Sequence, residues 1–61
     1  MSEREILEVE VESHRARVEE ITAALRDAPG DDKEAQLLRM ELRGRSAAVH
    51  IGSARLRMLR D

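Results

Sequence analysis

The sequence predicts an all-α fold, an antiparallel helical hairpin that dimerises into a four-helix bundle. Apolar residues recur at alternating intervals of three and four through both halves of the chain. The one proline, in Ala28-Pro29-Gly30, separates two halves of similar length. The second half also carries an apolar seam that one neighbouring helix cannot cover. We therefore expect one domain over 1–61, with helices at about 3–27 and 32–60 joined by a turn at 28–31.

The composition indicates that the protein gains its stability by associating with further copies of the chain. The chain has 61 residues, two histidines, no cysteine and no aromatic residue. A domain this small buries only about 60% of its unfolded surface, and it has neither a disulfide nor a thiolate metal site to reinforce it. No apolar run approaches the ~20 residues of a membrane span. The charged N-terminus does not resemble a signal peptide, so we expect a cytoplasmic protein that does not bind membranes.

The first helix carries an unbroken heptad seam. Its residues are Leu7, Val11, His14, Val18, Ile21, Leu25 and Ala28. The segment 7–12 also alternates apolar and acidic residues, which is the period of a β-strand. The helical seam continues through this segment without a slip, and a lone strand would need a partner from another chain. A helix is therefore favoured there, with a strand as the alternative.

The second helix begins after an acidic pair that suits an N-cap. Asp31 or Asp32 fits that position, and Glu34 follows Asp31 at capping-box spacing. The seam of this helix comprises Ala35, Leu38, Leu42, Arg45, Val49, Gly52, Leu56 and Leu59. When the chain folds back at the turn, this seam faces the first one.

One layer of the folded hairpin is polar, because His14 falls opposite Arg45. A polar layer in an aliphatic core typically fixes register or oligomeric state. Two alternatives for His14 are a pH-dependent switch and, together with Glu10, a metal site. We expect the polar core layer of His14 and Arg45 to be structural, and we expect no bound metal or cofactor.

The second helix reads nearly the same in both directions about Ala48. The pairs equidistant from it are Gly44 and Gly52, Glu41 and Arg55, and Leu37 and Leu59. Steps of four, seven and eleven keep a residue on one helical face. Such a stripe fits an identical helix that runs the opposite way, as in an isologous two-fold interface. Small residues at its centre would let the two backbones approach closely.

The predicted dimer interface combines this stripe with the seam beside it. It comprises Leu37, Met40, Glu41, Gly44, Ala47, Ala48, Ile51, Gly52, Arg55, Met58 and Leu59. Because glycine disfavours helix interiors, Gly44 offers an alternative, in which it ends one helix and a shorter one follows. A continuous helix is the favoured interpretation.

No catalytic motif is present. The chain lacks a glycine-rich phosphate loop, a nucleophile elbow and a His-Glu-x-x-His sequence. We therefore expect a non-enzymatic, homodimeric interaction or regulatory module without a small-molecule substrate. Its expected partner is another macromolecule, and a protein is favoured. The candidate partner-binding residues, on a polar stripe of the second helix, are Arg39, Arg43, His50 and Arg57.

Nucleic acid is the alternative partner, because an arginine stripe can track phosphates. Two hairpins of about sixty residues in one antiparallel bundle resemble the Rop-type RNA-binding regulators in length and pattern. Gly44-Arg45-Ser46, with Ile51, Ala54 and Met58 after it, is similar to the turn and second helix of ribbon–helix–helix DNA-binding proteins. That second resemblance implies a strand over 21–26 whose DNA-facing side chains are Thr22, Ala24 and Arg26.

Overall fold

Two helices packed side by side form the molecule. The computed structural model describes residues 2–27, 30 and 32–59. Helix α1 spans Glu3–Asp27 and helix α2 spans Lys33–Met58. The described chain measures 46 × 14 × 14 Å, the shape of an elongated helical hairpin. The predicted all-α hairpin is thus confirmed, while most of the turn predicted at 28–31 lies outside the described residues.

Helix α1 begins with a local cap and continues without interruption. The Ser2 hydroxyl accepts a hydrogen bond from the Glu5 backbone N–H at 3.2 Å and donates one to the Glu5 carboxylate at 3.1 Å. The segment 7–12 is helical, so the strand alternative is wrong there. The ribbon strand over 21–26 is wrong for the same reason. As parts of α1, both segments turn their seam residues toward α2.

Helix α2 is capped at both ends. The Asp32 carboxylate accepts a hydrogen bond from the Ala35 backbone N–H at 2.8 Å, which makes Asp32 the N-cap. Asp31, the other candidate, lies outside the described residues. The helix passes through Gly44 without a break. It ends at Met58, because Leu59 adopts an extended conformation and donates its N–H to the Arg55 and Leu56 carbonyls.

The hydrophobic core of the hairpin is narrow. Among the described residues, only Val11, Ile21 and Ala35 are buried hydrophobic residues, and Ile21, at 1% exposed, is buried most completely. Other seam residues are half-buried, namely Leu7, Val18, Leu25, Leu38, Leu42, Val49 and Leu56. The two seams therefore meet as the heptads predict, but two helices alone bury few side chains completely.

Gly52 marks a close approach between the two helices. A Cβ atom at this position would lie 2.5 Å from Cγ2 of Val11, too near for any real contact. In the sequence, Gly52 lies on the seam that faces α1 and also on the stripe expected to cross a second copy. In the structure, Val11 of the same chain fills the space that a side chain at position 52 would need, so this position has to be glycine.

We expect Gly52→Ala to destabilise the protein through this contact. Overpacking costs about 1–3 kcal/mol, and Val11 has little freedom to move because β-branched side chains hold one χ1 rotamer in helices. In a Val11→Ala background the obstructing methyl is gone, and the better helix propensity of alanine should prevail. A double-mutant cycle by urea unfolding should give a coupling of about 1–3 kcal/mol. Equal effects of Gly52→Ala in both backgrounds would contradict this packing.

Candidate functional site

A polar cluster joins the two helices halfway along the hairpin. Arg17 of α1 donates from Nε and Nη2 to the two Glu41 carboxylate oxygens of α2, at 2.8 and 3.1 Å. Arg45 Nε lies 3.4 Å from the same carboxylate. Arg45 Nη1 is also 3.0 Å from His14 Nδ1. Because a guanidinium carries only donors, His14 Nδ1 is the acceptor in this contact.

The Arg17–Glu41 pair is bidentate, which is the strong geometry for this ion pair. The hydrogen bond and the charge of Arg17 lower the pKa of Glu41 below its ordinary value, and Arg45 adds to this effect. The same hydrogen bond raises the pKa of Arg17. The sequence pattern assigned Glu41 to Arg55 of a second copy, whereas the structure supplies two partners within the chain.

Sequence reasoning missed Arg17, although a signal for it was present. Arg17 precedes the seam residue Val18, and Glu41 precedes Leu42, which faces Val18 when His14 falls opposite Arg45. In an antiparallel pair, residues that precede facing seam positions lie on the same edge of the two helices. Opposite charges at two such positions therefore indicate a cross-helix ion pair.

We expect this pair to stabilise the fold at neutral pH and to be lost in acid. A carboxylate whose pKa is lowered by folding contributes stability that is complete above its unfolded pKa, near 4.5, and disappears as the pH falls through the lowered value. Thermal unfolding of Glu41→Gln should show less stability than the parent at pH 7, with the difference closing toward pH 3. Glu12→Gln is the control, because Glu12 is 76% exposed and lies 4.0 Å from Arg15. A parallel offset at every pH would contradict the pairing.

An uncovered apolar face runs along α2. We call it the apolar face of α2, and it comprises Leu37, Met40, Gly44, Ala47, Ile51, Ala54 and Met58. Its four large side chains are 52–79% exposed. A Cβ atom added at Gly44 would meet nothing within 4 Å beyond its own turn of the helix. Contiguous exposed apolar surface on a small protein marks an interaction site.

The remaining residues of the predicted interface are not all on this open face. Arg55 is exposed, whereas Glu41, Ala48, Gly52 and Leu59 are half-buried. The Leu59 carbonyl accepts a hydrogen bond from Arg4 Nη2 at 3.2 Å. Sequence reasoning also missed Ile6 of α1, which is 45% exposed and lines a cavity together with Met58 and Leu59.

The polar stripe of α2 lies on a different side. The candidate partner-binding residues on it, Arg39, Arg43, His50 and Arg57, are all exposed. Arg39 Nη2 donates to the Gly30 carbonyl at 3.0 Å, near the start of the helix. Arg57 lines a groove between the helices, across from Glu8 and Glu12 of α1. Arg57 therefore borders the acidic edge of α1.

Within residues 2–27, 30 and 32–59, no three histidine or carboxylate side chains come together as a metal-binding group. In the same part of the chain, neither helix has the length and apolar character needed to cross a membrane. Comparison of the chain with protein-family models, curated proteins and solved structures finds no significant match.

Proposed function

We propose that this protein is a non-enzymatic, homodimeric interaction module with a regulatory role, which binds a second protein. Two copies of α2 pack antiparallel through the apolar face of α2, and the two hairpins form a four-helix bundle. The exposure of four large apolar side chains along one face of α2 carries this proposal. The near-palindromic order of that helix favours a second copy of the chain as the occupant.

The energy available from this face supports an obligate dimer. Complete burial of a large aliphatic side chain contributes about 1.5–3 kcal/mol. Four such side chains from each of two copies, already partly covered, contribute on the order of 10 kcal/mol. That is comparable with the about 5–15 kcal/mol by which whole proteins are stable. Folding and dimerisation should therefore be coupled.

The exposed residues favour one register for the two helices. With Ala47 near the two-fold axis, Leu37 faces Met58 of the second copy and Gly44 faces Ile51. A large side chain then enters the space that the glycine leaves. The centre of this register lies about half a residue from Ala48. The register leaves Gly52 out of the interface, because Val11 of the same chain already fills the space beside that glycine.

We expect Gly44→Leu to weaken the dimer, because its side chain would occupy the space proposed for Ile51. Overpacking at two symmetry-related positions costs about 2–6 kcal/mol in total. Adding Ile51→Ala should restore much of this loss, although Ile51→Ala alone should weaken association by removing buried surface. Sedimentation velocity on the parent, the single variants and the double variant measures the effect. Dimerisation of Gly44→Leu at parental affinity would place the crossing elsewhere.

A protein partner fits the charge distribution better than nucleic acid does. A phosphate backbone that reaches Arg57 also approaches Glu8 and Glu12, which would repel it. We expect no gel shift of an RNA hairpin or a DNA duplex at low or moderate salt. A shift that weakens steeply with salt, and that the triple variant Arg39→Ala, Arg43→Ala, Arg57→Ala abolishes, would establish the nucleic-acid alternative.

A further inference from the structure

The groove lined by Arg57, Glu8 and Glu12 runs between the helices on the edge away from the Arg17–Glu41 pair. Two cavities that share Arg15 follow one another along this edge, and we call them together the valine groove. Its floor consists of the half-buried Val18, Val49 and Leu56, with the buried Val11 beneath. The positions of α2 that border it are Ser46 and Ser53, whose side chains are too short to cover the floor. On the other edge the corresponding space is bridged by Arg17 and Glu41.

The two walls of the valine groove carry opposite charge. The α1 wall has three exposed glutamates, Glu8, Glu12 and Glu19, and one arginine, Arg15. The α2 wall has Arg57, and Arg43 and His50 lie on the same side of the helix behind the two serines. The acidic residues of α2 are Glu34 and Glu41, and neither lines this groove.

We infer that the valine groove binds one amphipathic α-helix of the partner protein. The inference rests on the proposed function for the existence of a protein partner, and it names the element that the partner contributes. The aliphatic stripe of the bound helix lies on the valine floor. Its acidic flank lies along Arg57 and Arg43, and its basic flank lies along the glutamates of α1. This is the helix-in-groove mode of recognition.

The dimensions and charges of the groove favour this occupant. It runs from Glu8 to Glu19 on α1, which is about 17 Å at 1.5 Å per residue, or three helical turns. An extended peptide would find no open sheet edge with which to pair, because α1 and α2 satisfy their backbone hydrogen bonds internally. A polyanion would be repelled by one wall and a polycation by the other. The split charge also sets the direction in which the helix lies.

The test uses labelled helical peptides of about 20 residues, long enough to form helix in water, with one aliphatic heptad seam. One peptide has glutamate on one flank and lysine on the other, and two controls have glutamate or lysine on both flanks. Fluorescence anisotropy with the whole chain should show the mixed-flank peptide binding at least about tenfold tighter than either control, a difference of about 1.4 kcal/mol.

Matched variants locate the binding site. Glu12→Lys reverses a charge on the groove wall and should weaken binding of the mixed-flank peptide about tenfold, about 1.4 kcal/mol. Glu10→Lys makes the same change on an exposed position outside the groove and should leave binding unchanged. Circular dichroism confirms that both variants fold. Equal responses of the two variants would overturn the inference.

Three further results would overturn it. They are equal affinity for all three peptides, failure of every peptide to bind, and a tetramer that excludes the peptide because another copy covers the groove. Sedimentation of the same samples separates this inference from the proposed assembly. A stable dimer that binds none of the peptides would contradict the groove inference and leave the proposed dimer standing. A folded monomer that binds the mixed-flank peptide would support the groove as the binding site and contradict the proposed dimer.

Discussion

Replacing Ile21 by alanine should remove most of the stability of the protein. Ile21 is 1% exposed and is the largest fully buried side chain among the described residues. Isoleucine-to-alanine changes in a core cost about 2–5 kcal/mol, because apolar contacts are lost and a cavity remains. Small domains rarely have more than about 3–5 kcal/mol of stability from a single core. Urea unfolding followed by circular dichroism measures the loss.

Val9→Ala is the matched control on the same helix. Val9 is β-branched and aliphatic but 57% exposed, so its truncation removes little buried surface and improves helix propensity. We expect this variant to equal or slightly exceed the parent in stability. Similar losses for Ile21→Ala and Val9→Ala would mean that the first seam does not face α2.

Ile51→Glu should dissociate the dimer and unfold much of the chain. Within the hairpin Ile51 is 52% exposed, so a carboxylate there can reach water in the isolated chain. In the proposed dimer the same change removes two buried isoleucines, worth about 3–6 kcal/mol together, and buries two like charges. The dissociation constant should rise by about two to four orders of magnitude.

His50→Glu controls for the added charge, because it introduces a carboxylate at the adjacent exposed position on the polar stripe. We expect it to leave the sedimentation coefficient and the helicity of the protein unchanged. The proposed interface would be contradicted if Ile51→Glu remained a dimer of parental affinity, or if both glutamates dissociated the protein equally.

The sequence predicts the helical hairpin well because heptad spacing is a local signal that both helices repeat several times. The limits of α1 follow from residues within one turn of each end. For α2 the sequence offers Asp31 or Asp32 as the N-cap, and the structure shows Asp32 in that position. The polar layer of His14 and Arg45 follows from folding the two seams together, and the structure places these side chains 3.0 Å apart. These features depend on period and order along the chain alone.

The partners of residues beside the seam are harder to predict. A heptad position fixes the face on which a side chain lies but leaves open whether the neighbouring helix belongs to the same chain. Glu41 and Gly52 fit a palindromic stripe, yet Arg17 binds the first and Val11 packs against the second within the hairpin. Side-chain length and interhelical distance decide these contacts, and neither is visible in the spacing of residues.

Sedimentation equilibrium of the unmodified chain, with circular dichroism on the same samples, tests most directly whether a second copy covers the apolar face of α2. We predict a species of twice the chain mass, and a loss of helicity that accompanies its dissociation on dilution. A fully helical species of one chain mass across the whole concentration range would contradict the account.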